Sequence, residues 1–479
     1  MSTAARANAA SLEKADTAAP SRFLVVVAVF VGLVVAVVGS LGAPLITAVA
    51  EHYHVSLAAA QWTLTIALLS GAVATPVLGR LGSGPRRRTV VLSTLAVVVA
   101  GSALTVIPLP FAVLLIGRGA QGVGLGLTAL MMATARDHLD ERRSASTIAL
   151  LSVASTAGIG VGYPLAGLLT DLSGIRAAYA LGLVVTAAAL VAAILVIPPA
   201  PPRPANPIDL PGALLLTVAL LALLVVISQT GLWHRHAGLA AAILAAALLL
   251  LAVWTFFEAR RDKPLVDIRL LRHPAVAAAN LVMFTGGIGM YLLLSLITRY
   301  LQTPTEAGYG FGLDTFQAGL ALIPFSLLGF AAGRLTPRLR RRFSARTLLA
   351  GGTVALLAAF VIFALARGRL ADPILAMSIL GLGVGVFSAA MPAVILAATP
   401  KAETASAMSV NQVVRSVGFS VGSALGGLIL AGYTTDVFPR EAGYATAAWI
   451  GAALTALTLA IIAATRPGSI PTPGRPAAT

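Results

Sequence analysis

Fourteen apolar stretches, each 18 to 27 residues long, follow one another through this chain and limit what it can become. They run over Phe23–Ala48, Leu57–Gly79, Thr89–Ile107, Phe111–Thr134, Ala145–Thr170, Ala177–Ile197 and Pro211–Thr230. The second seven are Ala237–Phe257, Ala275–Thr298, Phe316–Gly333, Thr347–Ala366, Pro373–Ala397, Ala405–Ala431 and Tyr444–Ala464. A bilayer-crossing helix needs about 20 apolar residues, so each stretch matches one crossing. The alternating pattern of a membrane β-strand is missing, and an unpaired backbone cannot cross hydrocarbon, which leaves helices. The chain is 58% hydrophobic and only 10% charged, against roughly 25% charged in soluble domains. Soluble enzymes, disulfide scaffolds and disordered proteins are excluded. The chain has no cysteine, hence no disulfides, cysteine ligands or thiol nucleophiles.

A net charge of +16 could suggest a nucleic-acid partner, but its placement argues otherwise. If residue 1 starts inside and every stretch crosses once, 25 of the 33 basic residues fall on one side and six on the other. The remaining two, Arg118 and Arg415, lie within spans. That asymmetry follows the positive-inside rule and predicts both termini in the cytoplasm. The charge therefore reports topology and contact with membrane lipids, not nucleic-acid binding. Met1–Arg22 is polar and mixed in charge, unlike a cleavable signal peptide.

The chain also repeats itself. Gly79-Arg80-Leu81 followed by Arg86-Arg87-Arg88 recurs as Gly333-Arg334-Leu335 followed by Arg340-Arg341-Arg342, at identical spacing. Ala145-Ser146, Val153, Gly158, Gly162 and Gly167 recur as Ala405-Ser406, Val413, Gly418, Gly422 and Gly427. The offsets are 254 and 260 residues, so span 2 matches span 10 and span 5 matches span 13. An all-α integral membrane protein of two six-helix bundles is expected, with spans 7 and 8 inserted between them. The expected boundaries are a tail at 1–22, a first bundle at 23–197, and a Pro-rich linker with the inserted pair at 198–274. A second bundle at 275–464 and a tail at 465–479 complete the chain.

These motifs resemble the major facilitator superfamily across essentially the whole chain. Gly79-Arg80-Leu81-Gly82-Ser83-Gly84-Pro85-Arg86-Arg87-Arg88 is similar to its loop motif between spans 2 and 3. Arg118-Gly119-Ala120-Gln121-Gly122 resembles its span 4 motif, and Gly158, Gly162, Pro164 and Gly167 resemble the span 5 motif associated with antiporters. Gln61-Trp62, Pro264-Leu265-Val266-Asp267 and Ala318-Gly319-Leu320 with Pro324 are similar to the fourteen-span drug:proton antiporters. Three departures stand out. Ser83 replaces the usual loop Asp, span 1 carries no Asp, and Tyr163 separates Gly162 from Pro164.

Polar groups inside the spans are the candidate substrate or coupling residues. Arg118 lies seven residues, or about 10 Å, inside span 4, with Gln121 on the same face. Arg415 sits one turn beyond Asn411. An intramembrane Arg is costly and defaults to function, the plainer reading being a tie to helix carbonyls. Gln61, Asn280 and Asn411 fit interhelical hydrogen bonds better than substrate contacts. Tyr291 could line an apolar cargo cavity, although simple packing explains it as readily. Gly79, Gly158, Gly162, Pro164, Gly167, Gly333, Gly418 and Gly422 read as packing or gating positions, and Arg87 as a lipid contact or conformational latch. No metal-ligand spacing stands out, and no cofactor is expected.

The expected function is secondary export of amphipathic or cationic organic compounds by alternating access, with antibiotic efflux as its role. A monomer is expected. The resemblance implies exchange for protons. No Asp or Glu lies deep in a span, so Asp137, at the edge of span 4, becomes the candidate proton carrier, opposed by the reading of an ordinary solvated acid. An uptake symporter or uniporter for a polar nutrient is the alternative. A membrane-embedded transferase would need clustered His, Asp or Glu near one interface, and a receptor would not need the repeat.

Overall fold

The computed structural model describes residues 3–42, 45–55, 57–200, 209–228, 232–233, 236–261, 274–397, 399–434 and 438–464. Expectations placed on residues 201–208 of the linker, on Pro264–Asp267 and on the tail 465–479 lie outside the described residues. The described regular structure is helical, apart from one isolated bridge between Thr434 and Pro439.

Fourteen long helices are described, here α1 to α14. The first seven are Thr3–Ser40, Trp62–Leu81, Arg87–Val106, Phe111–His138, Glu141–Ser173, Ile175–Val196 and Leu210–Ser228. The rest are Ala237–Ala259, Pro274–Gln302, Phe316–Leu339, Ala345–Leu365, Ala371–Ala397, Thr404–Gly432 and Glu441–Ala464. By length and composition, 12 candidate membrane spans meet the requirement: all of these except α5 and α7, with α1 counted from Arg22. Helix α5 is 33 residues long, and α7 is apolar over Pro211–Ile227.

Local chemistry sets the boundaries. Asp140 caps α5 by accepting a hydrogen bond from the Arg143 amide at 2.9 Å, and Ser344 caps α11 through Thr347 at 3.1 Å. Asp314 and Gln317 form a reciprocal capping box ahead of α10. Gly174, at φ 78°, makes the one-residue turn from α5 into α6, a backbone region open to glycine. Two sequence boundaries need correction. Helix α2 starts at Trp62, leaving Gln61 exposed at its mouth rather than embedded. Helix α4 passes Thr134 and continues to His138, so Arg136 and Asp137 are helical.

The first six helices pack mainly among themselves: α1 on α4, α5 and α6, and α3 and α2 on α4. The last six do the same, with α9 on α13 and α14, and α12 on α10 and α11. Between the two sets, α5 runs against α10 and α12, while α13 runs against α2 and α4. Helix α7 lies in the seam, touching α2 and α13, and α8 packs mainly on α7 among the described residues. Leu239, Leu248, Leu249, Val253 and Phe256 leave α8 with an exposed apolar surface, as suits a helix facing lipid.

Candidate functional site

One end of the molecule carries the arginine-rich loops. There, Arg87 is 2% exposed and forms an ion pair with Asp137, whose side chain is 1% exposed. Arg87 Nε also donates to the Gly82 carbonyl at 2.6 Å. The reading of Asp137 as a solvated loop acid is therefore corrected: a cation 50 residues earlier in the chain holds it in the packing. Arg88 donates to the carbonyls of Ile194 and Ile197 at 2.9 and 2.8 Å, closing the end of α6. Ser83, where the family places an acid, turns its hydroxyl back to the Arg80 carbonyl at 2.7 Å.

The two sets of helices meet across this end. Arg136 of α4 donates to the Leu396 and Thr399 carbonyls at 2.9 and 3.0 Å and to Thr404 Oγ1 at 2.8 Å. Arg80 stands 3.8 Å from Glu403. A methyl group at Gly79 would strike Ser409 of α13, and one at Gly333 would lie 2.6 Å from the Val153 methyls of α5. At the far end, Gly167 backs onto Phe316 and Gly319 onto Pro164, so α5 and α10 touch at both ends. Gly158 and Gly162 seat α5 on Ala36 and Ser40 of α1, and Gly418 and Gly422 seat α13 on Phe284 and Ile288 of α9. These latter glycines tighten each set internally, whereas Gly79 and Gly333 fit between the sets.

Among the described residues, a larger and a smaller cavity lie between the sets. The larger, about 920 Å³, opens at the arginine-rich end and is bounded by the ends of α4, α10 and α12 and the start of α5. Ala149, Val153 and Ala389 pack together at its inner limit. The smaller, about 60 Å³, is enclosed by α1, α2, α4, α5 and α13 and lined by Thr75, Thr128, Gln412, Arg415 and Ser416. The first has the volume of a drug-sized site; the second is far below it. Arg340, just past α10 on the wall of the larger cavity, has its guanidinium pushed below its ordinary pKa by burial.

The candidate polar residues divide by position. Arg118 is 0% exposed and lines neither cavity. Its Nε donates to the Thr63 carbonyl at 3.1 Å, and its Nη1 to the Val38 carbonyl at 3.1 Å and Gln121 Oε1 at 2.7 Å. Gln121 continues to Ser102 Oγ at 3.0 Å. This network ties α1, α2, α3 and α4 together, the carbonyl-bound arrangement weighed against a substrate role. Asn411 Nδ2 donates to Asn280 Oδ1 at 3.2 Å, a bond from α13 to α9. Arg415 borders the small cavity, with its guanidinium 5.6 Å from the Phe419 ring centre, and Tyr291 lies 5.4 Å from the same ring. The structure thus brings Arg415 and Tyr291 together around Phe419 and places Arg118, Gln121, Asn280, Asp137 and Gln61 elsewhere.

Sequence reasoning passed over Arg136 and the cavity walls at Arg142, Arg338 and Arg341. The available signal was an imbalance: an acid follows Arg136 at the end of α4, while none closes α12.

Comparison with known proteins places this geometry. The sequence profile of the Major Facilitator Superfamily matches residues 27–423. The multidrug efflux pump LfrA of Mycolicibacterium smegmatis is 27% identical over 467 residues, covering 94% of this chain and 90% of its own. A multidrug resistance protein B homolog of Mycobacterium tuberculosis is 28% identical over 389 residues, covering 78% and 69%. The crystal structure of the human organic anion transporter MFSD10 (TETRAN) superposes with a TM-score of 0.68 at 16% identity, over 92% of this chain and 99% of that one. The profile match and the shared helical architecture make this chain a member of the Major Facilitator Superfamily, a multi-pass plasma-membrane transporter and not an enzyme.

Proposed function

We propose that the protein exports small amphipathic organic compounds in exchange for protons, by alternating access between bundles α1–α6 and α9–α14. In this reading all fourteen helices cross the membrane, α7 and α8 form the inserted pair, both termini are cytoplasmic and one chain suffices. The observation that carries it is the cavity of about 920 Å³ between the two sets at the arginine-rich, cytoplasmic end. Such a cavity is a loading station, wide enough for a drug-sized molecule and bordered by Ala149 and Ala389, which pack with Val153. The multidrug resistance and efflux names of its relatives support the class of cargo.

Transport requires the sets to part at one end while they remain joined at the other. At the cytoplasmic end the join is polar: Arg136 on the Leu396 and Thr399 carbonyls at the end of α12 and just past it, and Arg80 beside Glu403. At the outer end it is the apolar fit of α5 on α10. Asp137 remains the proposed proton carrier, because breaking its pair with Arg87 would leave a buried carboxylate that favours the protonated form. Reconstituted protein tests the reading. Export of an amphipathic dye should accelerate when the medium outside the cytoplasmic face's compartment is made acidic, and Asp137→Asn should remove that dependence. Dye flux indifferent to the gradient would refute proton exchange.

A further inference from the structure

The wall of the larger cavity is more basic than topology requires. Seven cationic side chains border it, Arg136, Arg142, Arg334, Arg338, Arg340, Arg341 and Lys401, against one acid, Glu141. Arg136 is occupied by the carbonyls and hydroxyl it binds. For the other six, no acidic side chain among the described residues stands within ion-pair distance. Several basic residues elsewhere at the same end are satisfied: Arg87 by Asp137, Arg88 by the end of α6, and Arg346 by the Ile462 carbonyl at 3.0 Å. An inside-facing arginine can therefore be paired or used as a cap in this protein, as Arg136 is, whereas the other six cations around the cavity have no acidic partner among the described residues.

Placement reinforces the point. Arg334 and Arg338 lie four residues apart on α10, the spacing that stacks side chains on one helical face, and Arg341 follows in the turn just beyond the helix. Clustering like charges beside a cavity raises the local potential and concentrates anions there. Guanidinium groups offer paired donors that match the oxygens of carboxylate, sulfonate or phosphate. Ile148, Pro337, Pro392 and Leu396 supply apolar wall in the same cavity. Deeper between the sets, the small cavity is lined by Arg415 and by no Asp or Glu. The larger cavity thus presents positive charge to whatever occupies it.

We propose that the larger cavity is a binding site for an organic anion, an amphiphile whose acidic group lies on Arg338, Arg341 and Arg142 while its apolar body rests on Ile148, Pro392 and Leu396. As an intake site for cargo the proposal rests on the export reading above; as a binding site it does not. An organic cation meets repulsion at the larger cavity, so this proposal favours anions over the cationic half of the sequence expectation. The acidic group can come from exported cargo or from an anionic lipid of the cytoplasmic leaflet.

The test uses twin probes of opposite charge, 2-naphthalenesulfonate and trimethyl(2-naphthyl)ammonium, titrated calorimetrically into the full-length protein in a neutral maltoside detergent. The sulfonate is expected to bind at least about tenfold more tightly than the ammonium twin. Arg338→Gln and Arg341→Gln should each weaken the sulfonate about tenfold and leave the ammonium unchanged, with melting temperature retained. Equal binding of the twins, or sulfonate binding untouched by both variants, overturns the site. In phosphatidylcholine vesicles, sulfonate carried from the cytoplasmic face identifies cargo as the source. Sulfonate that binds, is not carried and is displaced by dioctanoyl-phosphatidylglycerol identifies the lipid headgroup. If no amphiphile of any charge is moved while sulfonate still binds, the export reading falls and the anion site stands.

Discussion

The two copies of the Gly-Arg-Leu…Arg-Arg-Arg motif have the same spacing and different surroundings. In the first, Arg87 is sunk against Asp137 and Arg88 closes α6. In the second, Arg340 is half-buried and Arg341 exposed, both on the cavity wall with no acid within ion-pair distance among the described residues. The cause lies outside the motif. Helix α4 ends in Arg136-Asp137, whereas α12 ends in Leu396-Ala397, so only the first copy has a carboxylate to meet. The capping role reappears one turn late in the second half, where Arg346 rather than Arg342 binds the end of α14. What the copies share is backbone fit: Gly79 against α13 and Gly333 against α5. A duplicated motif kept its role in contact between the halves and divided its charge between locking and lining.

The shared fit can be broken first, with the largest expected effect. Gly79→Leu and Gly333→Leu should both abolish export at normal abundance, since either side chain holds the halves apart. Whole-cell dye efflux scored against protein level checks this; loss in one variant only would end the equivalence of the two glycines. The charge difference comes next. Arg87→Ala should destabilise by about 3 kcal/mol, because it leaves Asp137 buried and unpaired, whereas Arg341→Ala should stay within about 0.5 kcal/mol. Thermal unfolding in detergent reads both, and similar shifts would erase the contrast. The caps should be smaller and symmetric: Arg88→Ala and Arg346→Ala at about 1 kcal/mol each, by the same measurement.

Much of the architecture was legible because hydrocarbon thickness leaves a chain few choices. Apolar stretches of the right length became helices, and the motif repeat identified α2 with α10 and α5 with α13. Pairings across distant sequence were not legible. Arg118 read as a substrate candidate because hydropathy cannot see Thr63 and Val38 offering it carbonyls. Asp137 read as a proton-carrier candidate just outside span 4, with a solvated acid as the opposing reading, because the apolar run stops at Thr134, while a helix held by the Arg87 pair continues past it. Arg415 read as a mid-span arginine, and the small cavity it borders was not legible in the sequence. The basic vestibule escaped notice because the positive-inside rule already explained every arginine in it.

The central claim is that the second arginine cluster makes a cavity that draws anions. The cysteine-free chain allows its potential to be read by thiol chemistry. Ala145→Cys and Ala393→Cys place a thiol on the cavity wall from α5 and α12. Each would be reacted with an anionic sulfonatoethyl and a cationic trimethylammonioethyl methanethiosulfonate, in detergent, with rates referred to a free thiol. The account expects the sulfonate to be favoured about tenfold at both positions, and the preference to shrink as salt rises. Equal normalised rates, or faster reaction of the cation, would contradict it.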